Sequence, residues 1–156
     1  MKKIYIDPVF EATHNVLQQM IGTKTEKGSL MTRENGFIGQ DVNISIGVTG
    51  NLSGFIYLSM KKDTALNVAS KMCGMEVNEL NEFVNSALGE LANIITGNSA
   101  TKLSNMGYQC DITPPSVVVG KEIQFSTEQK EFLALPLHTD IGKFEINLSL
   151  QEEKSA

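Results

Sequence analysis

An α+β fold, an antiparallel sheet packed against two or three helices including one long helix, is predicted by three features of this 156-residue sequence. Val42, Ile44, Ile46 and Val48 alternate with polar or small residues and run into a Gly50–Asn51 turn followed by a second apolar stretch, the pattern of a half-buried hairpin. Residues 80–106 carry Val84, Leu88, Leu91 and Ile95 at i, i+4, i+7 and i+11, one stripe of a long helix. After Gly107 the chain breaks into short β-like segments separated by turn residues.

Taken in order, residues 2–6 read as a short strand. Asp7 and Pro8 predict a helix start, Asp7 as N-cap and Pro8 at the first helical position, where a missing N–H costs nothing. Phe10, Val16, Leu17, Met20 and Ile21 keep helical spacing, and Gly22 is the stop. "TKTEKGSLMTREN" alternates only weakly. Residues 41–61 form the hairpin, Asp63 caps a short helix ending at Gly74, and "MEVNE" leads to the long helix, which Gly107 closes. "CDITPPSVVVG", "EIQFS", "EFLALPLHTDIG" and "KFEINLSLQ" read as strands that close the sheet, and "EEKSA" as a frayed tail. No low-complexity linker interrupts this order, so residues 1–156 read as one domain.

Composition narrows the function classes. Hydrophobic residues make up 41% and charged residues 20%, an ordinary globular balance. The net charge of −5 and the scattered lysines speak against nucleic acid and anionic membrane surfaces as partners. No apolar run reaches the length of a membrane span, and "MKKIYIDPVF" lacks the apolar core of a signal peptide, so the expected location is the cytoplasm. Cys73 and Cys110 are far apart and outside any CxxC pattern, as reduced, partly buried thiols would be. His14 and His138 stand alone, without the neighbours a metal site requires. GxSxG and P-loop patterns are absent, and the GK pairs in "GKEIQF" and "IGKFEI" lack the preceding glycine spacing.

The stretch "SALGELANIITGNSA" raises the functional question. On a helical wheel Ser86, Glu90, Asn93 and Gly97 fall in a narrow arc nearly opposite the apolar stripe, with Gly89 and Ala100 beside them. Each glycine inside a helix costs about 1 kcal/mol relative to alanine. Two readings are open: the glycines seat another segment of this chain, or they let a partner approach the backbone. Glu90 and Asn93, one helical step apart, suit the second. A carboxylate pairs with a cation, and a neutral amide both donates and accepts, so it can hold a water in a fixed orientation. Neither is a nucleophile suited to covalent catalysis.

Ser86-xxx-Glu90-xx-Asn93 resembles the D/S-xxx-E-xx-N motif of the CheC, CheX and FliY chemotaxis phosphatases. The surrounding "GELANIITGNSATKLSNMGYQCDITPPSVVVG" is similar to the CheX branch, and the likeness runs from "FEATHNVLQQMIG" through the final strands. Pro114 and Pro115 fall slightly short of the family's proline when intervening residues are counted, which reads as loop-length variation. CheC members carry two such motifs. Here the first helix offers Asp7, Glu11 and Asn15, with the last interval four rather than three, so a second site is not expected.

The resemblance implies a CheC-like fold and an enzyme that hydrolyses the aspartyl-phosphate of a CheY-type response regulator. Asn93 would position the attacking water and Glu90 would pair with the regulator's active-site lysine. Ser86, Gly89, Gly97 and Ala100 would line the contact. The chain itself would bind no cofactor, since magnesium belongs to the regulator's active site. It also implies a homodimer pairing through its sheets, for which a late strand such as "KFEINLSLQ" offers an edge. An alternative is a non-catalytic module that sequesters the phosphorylated regulator. It would keep Glu90 but would not need Asn93. A third reading, a scaffold related to the flagellar switch component FliY, is disfavoured by the lack of an attached domain.

Overall fold

The computed structural model describes residues 1, 3–129 and 131–153. A 3-10 turn (Lys3–Tyr5) leads into α1 (Ile6–Met20). The chain continues through β1 (Glu26–Lys27), β2 (Met31–Glu34), β3 (Phe37–Ile38), β4 (Val42–Gly50), β5 (Leu52–Met60), α2 (Lys62–Cys73) and α3 (Glu82–Asn105). It closes with β6 (Cys110–Ile112), β7 (Ser116–Val119), β8 (Gln124–Phe125), β9 (Glu131–Thr139) and β10 (Gly142–Glu152).

The large sheet has the order β1-β9-β10-β5-β4-β6, all neighbours antiparallel, with β2 also on the outer side of β9 and β7 also on the outer side of β4. Each outer side is therefore covered by two short pieces rather than one long strand. Between β6 and β7 the Thr113 N–H donates to the Gly47 carbonyl at 2.9 Å, and the Thr113 hydroxyl accepts from the Gly47 N–H at 2.8 Å. These bonds hold the chain to the sheet just before Pro114 and Pro115, which have no N–H to give it.

The alternating side chains of the strands separate two layers. Ile44, Ile46, Ile56, Leu58, Leu135, Phe144 and Ile146 face α1 and α3 and share one core with Val9, Val16, Val84, Leu88 and Leu91. The other face is not left to solvent. Phe37, Tyr57 and Phe132 form a second cluster there, with Phe125 packed on it, brought by the small separate sheet of β3 and β8. Beside it Glu145, only 8% exposed, accepts from Arg33 Nη2 at 3.2 Å and from Asn147 Nδ2 at 3.0 Å, and forms an ion pair with Arg33 Nη1 at 3.0 Å. Ser59 donates to Asn43 Oδ1 at 2.8 Å.

Several sequence expectations change. Lys3–Tyr5 is a 3-10 turn, not a strand, and Lys2 lies outside the described residues. Helix α1 begins one residue before Asp7, which sits in its first turn and does not cap it; buried Tyr5 and Ile6 draw the chain into helix early. Asp63 likewise lies inside α2. Its capping role falls to Asp41, whose Oδ2 accepts from the Lys62 N–H at 2.9 Å, a tertiary contact no local pattern encodes. Asn81 caps α3, accepting from the Val84 N–H at 2.9 Å. The hairpin strand β4 is buried on both faces, with Asn43 inaccessible, because the second layer covers it. "EIQFS" leaves the large sheet for the small one. "KFEINLSLQ" is no edge, because β10 pairs with β5 on one side and β9 on the other. In "EEKSA", Glu152 belongs to β10 and the Glu153 N–H bonds to the Asn51 carbonyl, while residues 154–156 lie outside the described part.

Candidate functional site

The long helix α3 is held by its apolar stripe: Val84, Leu88, Leu91 and Ile95 are all buried in the main core, as their spacing predicts. The stripe is wider than apolar residues alone. Ala92, Thr96 and Ser99 are buried too, and Ala92 and Thr96 line one small cavity together with Val9 and Thr13 of α1. Their hydroxyls are satisfied within the helix. Thr96 donates to the carbonyls of Ala92 (2.8 Å) and Asn93 (3.2 Å), and Ser99 to that of Ile95 (2.8 Å).

The two glycines play different parts. Gly89 is buried, and a Cβ there would stand 3.4 Å from Pro115 Cγ and 3.9 Å from Val117 Cγ2. It seats the segment that follows β6, the first of the two readings its sequence left open. Gly97 is half-buried, with Ile112 Cδ1 at 3.9 Å as its nearest neighbour. Ala100 is half-buried as well.

Ser86 and Glu90 are exposed and Asn93 is half-buried, all in the arc away from the core. The fold thus brings Ser86, Glu90, Asn93 and Gly97 to one open strip of α3, with Thr113, Pro114 and Ser116 exposed along the side where Gly89 receives Pro115. Among the described residues Glu90 forms no ion pair, and the Asn93 side chain makes no hydrogen bond. A carboxylate and an amide are therefore both free at a rise of about 4.5 Å along the helix. Among the described residues no three His, Cys, Asp or Glu side chains gather as a metal site. Cys73 and Cys110 are free and half-buried, away from this strip, and burial pushes the Cys110 thiol up from its ordinary value.

The model of the family described as chemotaxis phosphatase CheX matches residues 42–138, which include the hairpin, the whole of α3 and most of β9. The chain belongs to the CheX family. It is 33% identical over 123 residues to the CheY-P phosphatase CheX of Thermotoga maritima, covering 78% of this chain and 79% of that protein. Its fold superposes on the chemotaxis protein CheX of Desulfovibrio desulfuricans with a TM-score of 0.84 at 29% identity, covering 96% of this chain and 99% of that one. It is similarly close to a structure of the Borrelia burgdorferi CheX–CheY–BeF3–Mg complex: TM-score 0.80, 32% identity, 95% of this chain and 98% of that one.

One feature of the strip is not evident from the sequence. Phe83, 55% exposed in the first turn of α3, stands on the same side as Glu90. Its helical angle was available from the sequence, but its exposure depends on how α3 lies against its neighbours.

Proposed function

We propose that this chain is a phosphatase of a phosphorylated CheY-type response regulator, acting through the open strip of α3. One observation carries the reading. Glu90 and Asn93 project from the same strip of a helix anchored in the core, and among the described residues neither is spent on a partner. The Thermotoga maritima relative named for this activity and the Borrelia burgdorferi relative bound to CheY support it.

Glu90 docks by pairing with the active-site lysine of the regulator. The Asn93 amide oxygen then accepts a hydrogen bond from a water and holds it in line with the aspartyl-phosphate. The water oxygen attacks phosphorus, the bond between phosphorus and the aspartyl oxygen breaks, the carboxylate leaves as an anion, and the water's protons go to the inorganic phosphate that forms. Nothing in this step needs a nucleophile or base from α3. Its contribution is position, and a misplacement of about 1 Å costs on the order of a hundredfold in rate. Magnesium, held by the regulator, supplies charge stabilisation at the phosphoryl oxygens. Ser86, Gly97 and Ala100 keep the helix surface low, so the amide reaches into the pocket, and Gly89 supports them by seating Pro115.

We also propose that two copies pair through a sheet edge. With β10 central, the candidate edges are the short strands outside β9 and β4. Among the described residues no helix is long and apolar enough to cross a membrane. The cytoplasmic location stays a proposal.

The test is to phosphorylate a cognate CheY-type regulator with a small phosphodonor and follow loss of the phosphoryl group. Wild type is expected to accelerate the loss and Asn93→Ala to remove the acceleration. Tight binding of the phosphorylated form without acceleration would instead identify a sequestering module.

A further inference from the structure

We infer that Phe83 is the apolar anchor by which α3 holds the phosphorylated regulator, packing on an apolar patch of the receiver domain beside its phosphorylated aspartate. This rests on the reading of Glu90 and Asn93 above and extends it to a residue that touches no reacting atom. Phe83 lies two helical turns before Glu90, about 10 Å along the axis. It is 55% exposed in the first turn of α3.

The reach of a partner decides the matter. A stable protein–protein contact covers about 800 Å² on each side, a patch of about 16 Å radius if it is round. A body seated on Glu90 and Asn93 therefore extends over Ser86, which is too small to fend it off, and onto Phe83. In the other direction along the helix the strip offers Gly97 and Ala100, which present almost no side-chain area. Met106, also exposed on this helix, sits at its far end beside Ile4 and Pro8 of the α1 region. Binding energy in such contacts concentrates in a few large side chains, aromatic ones above all. Within the strip only Phe83 has that size. The strip thus divides its work: Phe83 supplies affinity, Glu90 register and Asn93 the water.

The experiment measures two quantities on the full chain. One is affinity for the regulator carrying beryllofluoride in place of the phosphoryl group. The other is kcat and KM on the phosphorylated regulator. Phe83→Ala should weaken binding and raise KM about tenfold or more, with kcat within about twofold of wild type. Phe83→Leu should recover most of the affinity. Ile38→Ala, which removes a 60% exposed apolar group from the small sheet on the opposite layer, should change neither quantity. Affinity of Phe83→Ala within about twofold of wild type overturns the anchor, and so does an equal loss in Ile38→Ala. Asn93→Ala separates this from the parent reading: full turnover in that variant sinks the catalytic role, while the binding of the Phe83 variants still decides the anchor.

Discussion

Helices α1 and α3 lie side by side on the same face of the sheet, and each carries an exposed glutamate followed closely by an asparagine, exposed on α1 and half-buried on α3. On α1 they are Glu11 and Asn15, on α3 Glu90 and Asn93. The difference is in spacing and in pairing. At an interval of four the amide lies about 40° to one side of the carboxylate and about 6 Å further along the helix. At an interval of three it lies about 60° to the other side and about 4.5 Å along. The hand of the pair is reversed, so a partner that fits one cannot fit the other. Glu11 is also engaged, with Lys102 Nζ at 3.5 Å, whereas Glu90 has no ion pair among the described residues. On the function proposed above, the same two residue types would serve as a site only where the register is right and the charge is left unspent.

The sharpest way to break this comparison is to remove each asparagine. Asn93→Ala should lower kcat by about a hundredfold or more, the scale of a lost positioning contact, while Asn15→Ala stays within about twofold; hydrolysis rates of the phosphorylated regulator decide. Equal losses would mean that spacing is not what distinguishes the helices. Removing the carboxylates should have a smaller effect. Glu90→Ala should raise KM about tenfold, the worth of one hydrogen bond between charged groups, and Glu11→Ala should leave it unchanged, as steady-state kinetics would show. A stability effect of lower size belongs to Gly89. Alanine there meets Pro115 at ordinary contact distance and gains helix propensity, so Gly89→Ala should raise stability by up to about 1 kcal/mol in urea unfolding; a bulkier valine should lower it. Smallest of all, Lys102→Ala should cost no more than about 0.5 kcal/mol, since its pair with Glu11 is solvated, and should confer no activity on α1.

The legible parts of this protein are those in which one element determines its own pattern. The α3 stripe, the β4–β5 hairpin and the left-handed glycines at Gly22, Gly74 and Gly107 follow from spacing and from local backbone preference, and each lies at or within one residue of where the sequence puts it. The Glu90–Asn93 pair was legible for the same reason, since two residues on one helix keep their mutual placement whatever surrounds them. Three of the larger differences involve a second segment. Asp41 capping α2 is 21 residues from its donor. Burial of Asn43 needs the second layer, and the central place of β10 is set by two neighbours at once.

Helical periodicity is a local property of the chain, so the helix, its open arc and the residue types set there follow from the order of residues alone. Packing alone sets that Gly89 seats Pro115 while Gly97 stays half-open, that Glu11 is paired while Glu90 has no ion pair among the described residues, and that Phe83 faces outward. Exposure and pairing are properties of what lies opposite a side chain, and the residues opposite come from distant parts of the chain.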